Sequence, residues 1–125
     1  MTKKIEAIIR EEKLTAVKKA LSDIGIVGLT ITPVRGRGRG AGMTLKWRTG
    51  TYNVELLPRT KVEIVLSDNN VEAAVAAIKN AAKSGSPGDG MIFVMPVDNV
   101  IRISTDEEGK DALAYAGDID TRGGS

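Results

Sequence analysis

Arginine alternates with glycine in "GRGRGAG" at 36–42. Glycine lets a backbone approach a phosphate closely, and arginine forks two N–H groups onto its oxygens, so this composition suits an anionic ligand. A second run, "SGSPGDG" at 84–90, reads as a tight turn-rich loop. Neither run completes a nucleotide fingerprint. No Gly-x-x-x-x-Gly-Lys-Ser/Thr occurs, since Gly85 to Gly90 has the glycine spacing but is followed by Met91 and Ile92. The dinucleotide pattern fails as well, because Ala41 and Met43 stand where the third glycine would follow each Gly-Arg-Gly.

Charge localises the chemistry further. Residues 34–61 hold Arg35, Arg37, Arg39, Lys46, Arg48, Arg59 and Lys61 against Glu55 alone, whereas residues 105–125 hold six acids and two bases. The net charge of +2 therefore hides one cationic loop and one acidic terminus, the pattern of a protein with an anionic ligand or partner surface. The chain has no cysteine and no histidine, which removes disulfides, thiolate nucleophiles, Ser-His and Cys-His pairs and almost every zinc or iron site. Catalysis is accordingly not expected, nor is a permanent metal. The start "MTKKIEAIIR" carries charges among its apolar residues and does not read as a signal peptide, and no segment approaches a spanning helix. A cytoplasmic location is the expectation.

These residues must be positioned by a single domain, since 125 residues at 42% apolar composition suffice for one core. Ile5, Ala7 and Ile9 alternate with polar neighbours and predict a strand over 4–10; Leu14, Val17, Leu21 and Ile24 recur at three and four and predict a helix ended by Gly25. Val27, Leu29 and Ile31 predict a second strand up to Pro33, and Val62, Ile64 and Leu66 a third. Val71, Ala74, Val75, Ile78 and Ala82 predict a second helix with cap candidates at 67–70, followed by the apolar strand "MIFVMPV". The order is βαββαβ, an α+β sandwich of the ferredoxin-like kind, with both helices on one sheet face. The other face would carry Glu6, Ile8, Arg10, Thr30, Thr32, Glu63 and Val65, too apolar for free solvent and too polar for a core, hence a candidate for contact between copies.

Strands two and three are expected to pair as a hairpin although some 20 residues, 36–55, separate them. Loops of this length in compact domains are usually functional or disordered, and ten residues out and ten back could reach about 30 Å from the domain. The prediction is a finger. Residues 106–125 read as a flexible acidic tail.

An RNA-recognition domain shares this element order, and Arg-Gly tracts bind RNA. Such domains stack bases on aromatics of their central strands, and "KIEAIIR" and "TKVEIVL" have none. An Arg-Gly nucleic-acid-binding module on a ferredoxin-like fold stays the alternative from another class, although nucleic acid is not the expected partner. A phosphohydrolase on this fold would need a phosphate loop and a water-orienting amide beside the first strand, which "IREEKL" does not offer.

The stretches "KKIEAIIREEKL", "GIVGLTITPVRGRGR", "WRTGTYNVELLPRTKVEIVL" and "GSPGDGMIFVMPVDNVIRIST" together resemble the PII signal-transduction family across residues 3–105. The resemblance implies a homotrimer of 1–105 domains, with the finger at about 36–55 as the T-loop, about 84–90 as the B-loop and a C-loop from about 102. It implies ADP or ATP as a regulatory ligand in clefts between subunits. Gly28, Leu29, Thr30 and Val65 would surround the adenine. Gly36, Gly38, Arg39, Gly88, Asp89, Gly90 and Arg102 would hold ribose and phosphates. It further implies that the T-loop contacts a target through Arg48 with Tyr52 near its tip, the target being the cytoplasmic face of a membrane transporter such as an ammonium channel or an ABC-type importer. Gly40, Met91 and Ser104 depart from the family's glutamine, lysine and second arginine, while Arg59 keeps the cation that meets 2-oxoglutarate. The departures imply an atypical member that binds ADP at least as well as ATP and does not sense 2-oxoglutarate.

Overall fold

The computed structural model describes residues 1–37 and 56–121 in full, and the backbone alone of 43–47 and 50–54. A central antiparallel sheet runs in the order β2-β5-β1-β6, formed by β1 (Thr2–Arg10), β2 (Thr30–Gly36), β5 (Leu57–Ser67) and β6 (Gly90–Val97). Two helices, α1 (Leu14–Asp23) and α2 (Val71–Ala82), cover one face. This is the ferredoxin-like α+β arrangement that the alternation of apolar residues predicts.

Alternation explains the layering. Ile5, Ala7 and Ile9 of β1 and Val62, Ile64 and Leu66 of β5 point to one side and are buried against Val17 and Leu21 of α1 and Ala74, Ile78 and Ala82 of α2. Each of the valine, leucine and isoleucine side chains removed from water contributes about 1.5 to 3 kcal/mol. The register locks the pattern, with Ile5 opposite Ile64 and Ala7 opposite Val62; a slip by one residue would turn the whole set outward. α1 ends where the sequence predicts, at Gly25 with φ of 92°. The amide of Ile26 then donates back to Leu21 and that of Gly25 to Ser22, closing the last turn of the helix. β2 begins later than the alternation suggests: Val27 is exposed and the strand starts at Thr30.

The finger carries a sheet of its own. β3 (Met43–Trp47) pairs with β4 (Gly50–Val54), Met43 opposite Val54, while β2 and β5 pair at its base with Gly36 opposite Leu57. The long connection between predicted strands two and three is therefore a hairpin with a second ribbon inserted in it.

The acidic terminus also differs from a free tail. Residues 101–109 fold back on themselves, with Ile101 bridged to Glu108, the Arg102 amide donating to the Glu107 carbonyl and the Gly109 amide to Val100. A short helix, α3 (Lys110–Leu113), buries Ala112. The Ile119 amide donates to the Gly25 carbonyl, Ile119 packs on the core, and Asp120 Oδ1 accepts from the Ser67 amide and the Asn70 side chain. Composition predicts solvation for six acids, but two apolar anchors and one carboxylate that caps backbone suffice to seat the segment.

Lys4 lies between Glu6 and Glu63 on the uncovered face of the sheet, with Nζ 3.4 Å from Glu6 and 2.6 Å from Glu63, and Lys61 is 3.5 Å from Glu63. The register sets Glu6 directly opposite Glu63, a like-charge pair that the lysines neutralise. The Lys4 ammonium holds the Glu63 carboxyl below the usual carboxylate range, and Glu63 in turn raises Lys4. Around this polar centre Val65, Met91 and Phe93 are exposed.

Candidate functional site

One end of the four-stranded sheet gathers most of the predicted phosphate groups. β2 and β5 open into the finger there, β1 ends there at Arg10, and β6 begins there at Gly90, opposite Ile9. Arg10 and Arg59 are cross-strand partners. A Cβ placed on Gly88 would lie 3.4 Å from Nη2 of Arg10 and 3.8 Å from Nη2 of Arg59, so two guanidinium groups close on one glycine of the 84–90 turn. Such a pair presents N–H donors to a carboxylate or phosphate oxygen. Arg10 is a site candidate that sequence reasoning missed; the signal is its register with Arg59, which no local pattern reveals.

Asp89 holds the turn from within. Its carboxylate accepts from the hydroxyl and amide of Ser84, the latter at 2.9 Å, from the Gly85 amide at 3.3 Å and from Arg10 Nε at 3.1 Å. Arg10 also donates to the Pro87 carbonyl at 2.8 Å. The side chain that the resemblance places beside ribose or phosphate is thus engaged by the turn itself and by Arg10. These bonds, the Ser84 hydroxyl first, hold the Asp89 carboxyl well below the usual carboxylate range.

A depressed pKa stabilises the fold above the unfolded value, near 3.8, and the contribution is lost as pH falls through the folded value. Urea unfolding of the wild type is therefore expected to weaken below about pH 4, and Asp89→Asn to lose less over the same interval. The Glu63 carboxyl is also lowered, which adds a loss of the same sign in acid, so the difference between the two proteins carries the information. Parallel curves would show that Asp89 contributes nothing there.

The predicted adenine residues form a second group. Gly28 is exposed with open space around it, Leu29 packs partly on the core, Thr30 opens β2 opposite Glu63, and Val65 stands exposed two residues further along β5. Arg102 is in neither group: it follows the far end of β6, beyond Val97, which pairs with Thr2. Of the remaining candidates, Gly36 sits at the base of the finger, while Gly38, Arg39, Arg48 and the side chain of Tyr52 lie outside the described residues, as does Gly40. Among the described residues no cluster of histidine, cysteine or carboxylates could hold a metal ion, and no helix is long and apolar enough to cross a membrane.

Comparison with known proteins bears directly on this arrangement. The family model "Nitrogen regulatory protein P-II" matches residues 2–107. The nitrogen regulatory protein P-II of Rhizobium meliloti is 52% identical over 111 residues, covering 89% of this chain and 99% of that protein. A protein of the same name from Azospirillum brasilense is 50% identical over the same shares. Another from Methanothermobacter thermautotrophicus, P-II 2, is 50% identical over 89% of this chain and 96% of its own. Among solved structures, Arabidopsis thaliana PII bound to citrate superposes with a TM-score of 0.74 at 37% identity, covering 89% of this chain and 91% of that one. The match spans every strand of the central sheet, the finger and the turn over which Arg10 and Arg59 close, and on that ground the chain belongs to the P-II nitrogen regulatory protein family.

Proposed function

We propose that this chain is a non-enzymatic regulator that binds ADP or ATP between the subunits of a homotrimer and passes the nucleotide state to a target through its finger. The observation that carries the reading is the separation of the phosphate groups within one chain. Gly88 precedes β6, Gly90 opens it and Arg102 follows it, so the eight residues of the strand, or about 24 Å, lie between the two groups. One phosphate chain cannot touch both. Copies related by a cyclic axis can bring the Arg102 end of one against the turn of the next, and the half-apolar uncovered face supplies a surface for that contact.

ADP is expected to bind at least as tightly as ATP. The two differ only in the third phosphate and the Mg²⁺ it recruits, and Gly40, Met91 and Ser104 offer no charged arm for either. 2-Oxoglutarate is expected neither to bind nor to strengthen Mg-ATP binding. A second reading is favoured by the Arg10–Arg59 pair: a small polycarboxylate held at this end of the sheet, as the citrate-bound plant relative suggests. The target is the cytoplasmic face of a membrane transporter, reached through Arg48 and Tyr52 of the finger.

Calorimetry coupled to light scattering tests the whole reading. The expected result is a particle of three times 13.3 kDa that takes up ADP at least as well as Mg-ATP, with no gain from 2-oxoglutarate. A monomer at micromolar concentration removes the cleft, a clear ATP preference enhanced by 2-oxoglutarate overturns the proposed selectivity, and citrate uptake without nucleotide uptake favours the second reading.

A further inference from the structure

The guanidinium of Arg102 is already occupied by its own chain. Nη1 donates to Glu107 Oε1 at 3.1 Å, and Nη2 donates to the carbonyls of Asp111 at 3.4 Å, Ala112 at 3.0 Å and Ala114 at 3.2 Å. The Tyr115 ring lies under the plane, its centroid 4.2 Å from the central carbon. Nε is buried and has no partner. A fork onto a phosphate needs two parallel N–H groups along one edge of the guanidinium. One edge pairs the buried Nε with Nη2, whose hydrogens go to carbonyls; the other pairs Nη2 with Nη1, which holds Glu107. Neither edge is open to an anion.

We infer that residues 106–121 form an autoinhibitory strap that competes with the phosphates of the bound nucleotide for Arg102. The strap occupies the arginine at one end and is fastened at the other, where Ile119 and Asp120 tie it to Gly25 and to Ser67 and Asn70. The two states exclude each other: with the strap seated, Arg102 is an internal prop, and with the strap displaced, it is a phosphate ligand. Nucleotide binding then costs the strap's contacts, and releasing it exposes an acidic segment that is otherwise folded against the protein. The inference rests on the proposal that Arg102 meets phosphate.

Hydrogen exchange of the full chain with and without ADP, together with ADP titration of two variants, tests it. ADP is expected to speed exchange at the Gly109, Ala112 and Ile119 amides while leaving the core strands protected. Glu107→Gln is expected to tighten ADP binding about three- to fivefold, the most that loss of a half-exposed ion pair releases. Asp120→Ala, at the other end of the strap, is expected to act in the same direction, which a local change of charge beside the phosphates would not produce. If ADP binds while those amides keep or gain protection and both variants bind like the wild type, the strap inference falls and nucleotide binding stands. If ADP binds no version of the protein, both fall together.

Discussion

Alanine at Gly90 is expected to lower the thermal midpoint by at least about 10 °C, taking a strain and overlap of about 3 kcal/mol and roughly 4 °C for each kcal/mol in a domain of this size. Gly90 has φ of 109°, a region side chains rarely enter, and an added Cβ would sit 1.8 Å from the Ile8 carbonyl oxygen and 2.9 Å from its carbon. Both obstacles are backbone. Relief would require moving β1 or β6, whose ladder pairs Gly90 with Ile9 and Met91 with Ile8. Gly88 offers the contrast: its φ is 93°, but the nearest atom to an added Cβ is the mobile end of Arg10 at 3.4 Å. Gly88→Ala should therefore cost only the conformational strain, about 1 kcal/mol. Gly28→Ala, with nothing within 4 Å, serves as the neutral control. Differential scanning calorimetry of the three variants decides the ranking, and a Gly90→Ala protein that melts within a few degrees of wild type would show that the β1–β6 junction yields more easily than its geometry states.

Removal of the arginine beyond β6 should have the largest effect on ligand binding. Arg102→Ala is expected to weaken ADP binding about 10- to 100-fold, since one hydrogen bond to a charged group is worth about 1.5 to 3 kcal/mol. The same substitution strips the strap of its anchor, so limited proteolysis should cut within 106–118 faster than in the wild type. The pairing of outcomes is diagnostic. Strap variants free Arg102 and strengthen binding, whereas loss of Arg102 frees the strap and weakens binding. Arg102→Lys keeps the charge but not the fork and should fall between. An Arg102→Ala protein that binds ADP like the wild type would remove this arginine from the site.

Much of the fold could be read from period alone. Ile5-Ala7-Ile9 and Val62-Ile64-Leu66 alternate because each faces a single covered side, and Leu14-Val17-Leu21 and Ala74-Ile78-Ala82 recur at helical spacing because each packs on that side. The family was legible in four stretches that keep their spacing. Four features were not. The β3–β4 ribbon alternates Met43, Leu45 and Trp47 with Thr44 and Lys46, but the Arg-Gly run just before it makes the whole segment read as loop. The seating of 106–121 depends on Ile119 and Asp120, single residues whose partners are 50 or more positions away in Gly25, Ser67 and Asn70. The approach of Arg10 to Arg59 follows from strand register alone, and Asp89 reads as a ligand from its motif while its carboxylate is spent on folding the turn.

The finger's two-stranded sheet shares no ladder with the four-stranded one, and that separation bears on how such a protein can diverge. Insertions and deletions within 37–56 leave the pairing of Gly36 with Leu57, and everything below it, in register. Doubling the length of a flexible connection costs only about 0.6 kcal/mol in closure entropy. The finger is therefore a replaceable cassette. Selection can rewrite which surface it recognises over short evolutionary distances, while Gly90 at its foot stays under the much tighter constraint of backbone geometry.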